Sequence, residues 1–300
     1  LLLSNLFVAL SKQSKVLSPY SKDFGGVLGY QVFMFEPVIR LSGRGTSHPD
    51  LVVTSKKVGC TLVLEWTERT TVDSQKAGQL HRYSSVTQSD LVNVLGVPVD
   101  CAKLNNIALI TGRNGCAAFG KFLMDSALVF PLLSFTIDGD EHNLKLEINA
   151  FREPSTHRFF NEGIVARNVP LRYIPFSLDQ IRGEELVSLV IQHLLSLIVK
   201  DVKSFTITEF CAGCYLHAWN FIGVKKQSEI SRKTKTILQR LTQKKMGFVP
   251  IKRIGDNPPE WEVVYDSAYL NQRMRSVRKL LTEFVAEVEG RPFQEMLPFE

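Results

Sequence analysis

Two carboxylates, Asp50 and Glu65, stand where two short apolar runs would hold them side by side. The first run, Asp50-Leu51-Val52-Val53, follows Ser47-His48-Pro49. The second is Thr61-Leu62-Val63-Leu64-Glu65-Trp66-Thr67-Glu68. Both runs are short, rich in β-branched residues and bounded by Gly, Ser or Lys, which is the pattern of buried strands. Side chains alternate along a strand, so Glu65 and Thr67 share one face while Leu64 and Trp66 take the other. Carboxylates held that close repel unless a divalent cation lies between them. Mg²⁺ is commonly held by one or two carboxylates completed by water and substrate phosphate, so Mg²⁺ or Mn²⁺ is the expected ion. The plainer alternative is an ordinary strand pair whose carboxylates cap turns.

Pro49-Asp50 followed by Glu65-Trp66-Thr67 resembles the bipartite motif of the PD-(D/E)XK, or restriction-endonuclease-like, nuclease superfamily. The helix pattern Gln75 to Tyr83 adds Gln79 and Tyr83, similar to the Q-x-x-x-Y helix of several branches. The resemblance covers about residues 1–115. It implies a metal held by Asp50, Glu65 and the Trp66 carbonyl, and a metal-dependent hydrolysis of phosphodiester bonds in DNA. Two departures stand out. Thr67 occupies the position where the family usually has Lys, and residues 1–22 lack the acid that many members carry on the first helix. Lys76 lies in the first turn of the following helix, where the helix dipole slightly disfavours a cation. Its first reading is a surface lysine; the alternative is a cation that replaces the one missing at Thr67. The residues expected to carry the chemistry are therefore Asp50, Glu65, Thr67, Lys76 and Gln79.

The elements that must position them follow from pattern. The greasy start Leu1–Leu10 has no basic flank and is read as an amphipathic first helix in preference to the remnant of a signal segment. Tyr30 to Leu41 reads as one long strand, kinked or at an edge because Pro37 has no N–H to give a ladder. Glu36, inside it, is read as a solvated strand residue in preference to a metal ligand, and Arg44 lies in a Gly/Ser loop. One helix is expected from about Ser74 to Leu95, then a buried strand Asn106–Thr111, giving the order α-β-β-β-α-β. Residues 117–176 are less legible, apart from a hairpin about Asp138-Gly139-Asp140, whose acids suit turn chemistry.

From Ser177 the pattern turns helical. Capping boxes are expected at Ser177/Gln180 and Thr206/Glu209. One apolar stripe runs through Leu186, Leu189, Val190, Leu194 and Leu197, and another through Phe210, Cys214, His217, Ala218 and Phe221. Cys211, Cys214 and His217 have the spacing of zinc ligands, but no fourth donor stands near and two of them lie on the packing face. Residues 225–253 hold ten Lys or Arg and one acid, a net of +9 on a chain whose total is +6. Ile230, Ile237, Leu238 and Leu241 line one side of this basic helix. Phe248–Arg253 is expected to pair with Glu260–Tyr265, and a last helix to run from about Ser267 to Glu289. Three helices and a β-ribbon resemble a winged-helix domain, with Arg232, Lys233, Lys235, Arg240, Lys244 and Lys245 meeting nucleic acid.

The expected architecture is thus α/β: a restriction-endonuclease-like mixed sheet with flanking helices over 1–175, then a mainly α winged-helix domain over 176–300. This domain order resembles that of transposon-end-cutting nuclease subunits. Composition is that of an ordinary globular chain, 44% hydrophobic and 22% charged. Five scattered cysteines form no disulfide framework, which points to a reducing intracellular setting. No apolar run reaches the roughly 18 residues that span a bilayer. The expected partner is double-stranded DNA, with further protein subunits or a second copy of the chain compatible with that role, and no membrane. The competing function is a non-catalytic DNA-binding scaffold on a nuclease-like fold.

Overall fold

The computed structural model describes residues 2–41, 45–167, 169, 183–215, 218–243, 251–256 and 259–264. Arg44, the Ser177/Gln180 pair, His217, Lys244, Lys245, residues 248–250 and the expected last helix lie outside them. The chain divides into two compact units, one of Leu2–Tyr173 with Phe221–Gly223 and the other of Ile174–Asn220 with Val224–Glu300.

The first unit is α/β. Helix α1 (Leu2–Ser11) is buried from Ser4 to Ser11, so it is a core helix and not the amphipathic one its position implied. Strand β1 (Gln31–Phe35) ends where Glu36 takes φ 46° ahead of Pro37. The expected long strand is therefore two: β2 (Ile39–Leu41) leaves the sheet and pairs with β3 (Gly45–Ser47) in a ribbon of its own. Then come β4 (Leu51–Ser55) and β5 (Cys60–Thr67), whose apolar residues are buried on both faces as central strands require.

The helix expected over Ser74–Leu95 is also two, α2 (Ser74–Tyr83) and α3 (Gln88–Asn93). The break is made by Thr87, whose hydroxyl accepts from Asp90 N while the Asp90 carboxylate accepts from Thr87 N, a reciprocal capping box. Strand β6 (Leu104–Gly112), helix α4 (Arg113–Asp125), strands β7 (Leu132–Asp138) and β8 (Glu141–Ile148), helix α5 (Pro154–Glu162) and strand β9 (Ile164–Arg167) complete the unit. The sheet order is β1-β4-β5-β6-β7-β8-β9, mixed, with β5-β6 and β6-β7 parallel and the rest antiparallel. The β7-β8 turn is tight, closing on Gly139 at φ 59° and Asp140, and it extends the main sheet. Leu80, Tyr83, Leu109, Phe119 and Leu123 pack α2 and α4 against one face of the sheet.

The second unit is built from helix α6 (Gly183–Val199), strand β10 (Ser204–Thr206), helices α7 (Ile207–Tyr215) and α8 (Val224–Gln243), and strands β11 (Ile251–Asp256) and β12 (Pro259–Val263). Its sheet has the order β10-β12-β11, antiparallel throughout. The expected apolar faces are present: Leu186, Val190 and Leu194 are buried on α6, and Ile230, Ile237, Leu238 and Leu241 on α8. Leu189 and Leu197 are only half-buried. The Thr206/Glu209 capping box starts α7, with Glu209 Oε2 accepting from Thr206 N at 2.8 Å. Those hydrogen bonds hold the Glu209 carboxyl below the usual range. The stripe drawn through Phe221 does not stay helical, because α7 ends at Tyr215 and Trp219–Phe221 is a 3₁₀ turn. Among the described residues no helix is long and apolar enough to cross a membrane.

Candidate active site

Asp50 stands at the end of β4 next to the stretch of β5 that carries Glu65. The ladder ends with Leu51 opposite Leu64, and Asp50 N also donates to the Leu64 carbonyl at 3.1 Å, so Asp50 lies just past the end of β4, beside Leu64 and one residue from Glu65 along β5. Asp50 Oδ2 accepts from Trp66 N at 2.7 Å, which fastens the Asp50 carboxylate beyond the end of the ladder. A strand residue sends its N–H and C=O to the same edge, so the Trp66 carbonyl also lies on the Asp50 side. Glu36 N in turn donates to the Asp50 carbonyl at 2.9 Å, putting Glu36 next in the row. The three acids do not converge as a ligand set: among the described residues no group of three His, Cys, Asp or Glu is placed to hold a metal ion.

Glu65 is 5% exposed and is held by one face of α2. Lys76 Nζ meets Glu65 Oε1 at 2.5 Å, Gln79 Nε2 donates to the same oxygen at 3.0 Å, and Tyr83 OH donates to Oε2 at 2.6 Å. Gln79 Nε2 also reaches Tyr83 OH at 2.8 Å. These residues stand at i, i+3 and i+7, so one helical stripe delivers all three donors. Lys76 is therefore not a surface lysine: it is 6% exposed, buried with its carboxylate. Asp73 sets the helix start, accepting from Lys76 N at 2.8 Å. Burial, and next to it the charge of Glu65, push the Tyr83 hydroxyl far above the usual tyrosine range. Tyr83 thus stays a donor at any ordinary pH.

Thr67 sits elsewhere in the arrangement. Its hydroxyl accepts from Arg69 N at 3.2 Å and closes the turn leading to α2. Arg69 pairs with Asp73 and reaches Gln75 at 3.4 Å. Beside Thr67 in the β5-β6 register lies Thr111, 2% exposed, whose hydroxyl has no hydrogen-bond partner among the described residues. Above it α4 approaches so closely that a Cβ on Gly115 would stand 2.8 Å from the Arg69 carbonyl. Sequence pattern did not reveal the direct hydrogen bond of Tyr83 to Glu65, nor the contacts of Arg69 and Asp73 at the start of α2. For Tyr83 the signal was its place one turn after Gln79.

The oxygens that could hold a hard cation here are few. Asp50, the Trp66 carbonyl on the same edge and Glu65 would hold it, with substrate phosphate and water completing the shell. Three of the four carboxylate oxygens already accept hydrogen bonds, Glu65 Oε1 from Lys76 and Gln79, Glu65 Oε2 from Tyr83 and Asp50 Oδ2 from Trp66 N, so the protein could offer a cation few oxygens that are not already engaged.

On α8 the exposed stripe is Lys225, Ser228, Arg232, Thr236 and Arg240. Lys235 is half-buried. Lys233 is tied to Glu229 at 3.1 Å, and Lys226 approaches the same acid at 3.6 Å. Lys233 in particular holds the Glu229 carboxyl below its usual range. All five cysteines are free. Cys211 and Cys214 are buried in the packing of α7, and burial pushes both thiols up. Compared with known proteins, the chain matches no family model, no curated protein and no solved structure.

Proposed function

We propose that the first unit is a metal-dependent endodeoxyribonuclease site of the PD-(D/E)XK type and that the second is a winged-helix module that binds double-stranded DNA. The observation that carries the first half is the capture of Glu65 by Lys76, Gln79 and Tyr83 from one helix, one residue along β5 from Trp66, whose N–H holds the Asp50 carboxylate. A cation absent at Thr67 is supplied at Lys76, from the helix and not from the strand. The second half is supported by the element order helix-strand-helix-helix-strand-strand with sheet order β10-β12-β11, and by the exposed basic stripe of α8. An intracellular setting, and a role in transposition or defence with further subunits, agree with this reading.

When bound, Mg²⁺ or Mn²⁺ would lower the pKa of a coordinated water and offset charge on the phosphate. The chain's own residues have separate tasks. Asp50 and Glu65 present oxygen at adjacent strand ends. Lys76 balances Glu65 and places a cation beside it; Tyr83 and Gln79 fix the orientation of that carboxylate. The non-catalytic scaffold reading has one observation in its favour: three donors, one of them a lysine ammonium, already occupy Glu65.

The test is cleavage of supercoiled plasmid with Mg²⁺ or Mn²⁺, alongside calorimetric Mn²⁺ titration. Asp50→Asn and Glu65→Gln are expected to abolish both cleavage and Mn²⁺ binding. Lys76→Ala is expected to lower cleavage, and Thr67→Lys to restore part of it, because Thr67 shares a strand face with Glu65. Cleavage that survives Glu65→Gln removes this site; DNA binding without cleavage under any condition leaves the scaffold.

A further inference from the structure

We propose that the cleft on the solvent side of the Glu65–Lys76 pair is a subsite for one phosphodiester of a nucleic-acid strand, with Arg82 as its principal cation. The cleft encloses about 210 Å³ and is lined by Arg69, Gln75, Lys76, Gln79 and Arg82. Among the described residues no carboxylate lines it. That volume lies below the roughly 300–1,000 Å³ of sites for drug-sized ligands, so it suits a small anion or one group of a chain that continues into solvent.

The wall is built by helical spacing. Gln75, Gln79 and Arg82 stand at i, i+4 and i+7 on α2 and form one stripe. Gly78 lies under this stripe, and a Cβ there would stand 3.6 Å from Arg82 Nη1. The Arg82 guanidinium is therefore folded back along the helix toward the Lys76 end. Arg69 closes the opposite side from the preceding turn, steadied by Asp73 and Gln75.

Charge selects the occupant. Lys76 is balanced by Glu65, and Arg69 by Asp73. Arg82 has no ion-pair partner among the described residues and is exposed. The cleft thus carries one unbalanced positive charge, that of one phosphodiester. A terminal phosphate carries about −1.5 to −2 at neutral pH and would be less well matched. The guanidinium fork suits paired phosphate oxygens. Because Lys76 and Gln79 line both this cleft and the Glu65 carboxylate, a phosphate seated here places the next stretch of the strand at Glu65. Naming a nucleic-acid strand as the source rests on the nuclease reading; the preference for an anion rests on the cleft alone.

The experiment uses the full chain in EDTA, where no metal-dependent cleavage occurs, carrying Arg232→Gln and Arg240→Gln to quiet α8. Binding of fluorescein-labelled tetrathymidylate is followed by anisotropy across a salt series, with orthophosphate as competitor. Arg82→Gln is expected to weaken binding by about tenfold, the cost of one charge-assisted hydrogen bond. It should also lower the salt slope by about 0.7, the share of one phosphate on a single strand. Arg82→Lys should recover part of the affinity, and adding Arg69→Gln should weaken it further. Arg82 is exposed, and equal melting temperatures would show that the fold is kept. Unchanged affinity and slope in Arg82→Gln overturn the subsite. Orthophosphate that binds as tightly as the oligonucleotide overturns the strand assignment. Arg82-dependent binding in a protein that never cleaves DNA supports the subsite while removing the nuclease reading.

Discussion

Three donors from one helix converge on the Glu65 carboxylate, and each removes a different freedom from it. Lys76 balances its charge, Tyr83 fixes one oxygen, and Gln79 links the hydroxyl to the other oxygen. Both partners of the ion pair are almost wholly buried, so neither can be removed alone at low cost. Lys76→Met is expected to destabilise the protein by about 3–5 kcal/mol, because a buried carboxylate is left without its cation. Adding Glu65→Leu should return much of that stability, since replacing both members of a buried pair with apolar groups is often near neutral. Urea unfolding of the two single variants and the double variant checks this; additive losses would mean that the two side chains are not coupled. At this scale the sequence was partly legible. The strands that carry Glu65 and lead from Asp50 followed from pattern, and Lys76 stood out against the helix dipole. Its burial was not legible, because it depends on how close α2 packs to β5, which no local pattern encodes.

Elements were legible where their periodicity was unbroken. Strands β4, β5 and β6, the β7-β8 hairpin and the apolar face of α8 all follow directly from pattern. Pattern failed at interruptions. Thr87 and Asp90 form a capping box inside what reads as one long helix, and Glu36-Pro37 turns one strand into two. The second unit shows how a close approach between elements is made. A Cβ on Gly213 of α7 would stand 2.3 Å from His193 Nε2 on α6, so only glycine admits the ring at that distance. The His193 ring also meets Phe210 edge-on at 4.8 Å. Burial, with Lys200 adding to it, pushes the imidazole down to about 4. In the unfolded chain it titrates near 6.5, so the unfolded state binds the proton first. The contribution of His193 to stability is therefore complete above about pH 6.5 and is lost as pH falls from there to about 4. Replacing it with Gln, which has no titrating ring, should flatten the fall in melting temperature over that window. An equal fall in both proteins would assign the acid sensitivity to other groups.

Charge in the whole molecule is distributed so that one segment dominates. Residues 225–253 carry a net of +9 in a chain of +6, leaving the remainder slightly acidic. That imbalance was legible from sequence, but which cations are free to act was not. On α8, Lys226 and Lys233 share Glu229, while Arg232 and Arg240 stand on the exposed stripe with Lys225, Ser228 and Thr236. The stripe combines arginine forks with hydroxyls, groups that meet both phosphates and base edges in a major groove. Binding of duplex DNA by this helix should release counterions in proportion to the phosphates met, about 0.9 per phosphate in the slope of log affinity against log salt. Arg232→Gln and Arg240→Gln together should therefore flatten the slope by nearly two. Lys235→Gln should have a smaller effect because the side chain is half-buried. Lys233→Gln should act through a different route, exposing Glu229 to the DNA and lowering affinity by repulsion more than by removing a phosphate partner. Anisotropy of a labelled duplex between about 50 and 200 mM salt, a range over which binding to several phosphates changes by orders of magnitude, separates these outcomes. An unaltered slope in the Arg232/Arg240 pair would place the DNA-binding surface away from α8 and remove the charge argument for a winged-helix recognition helix.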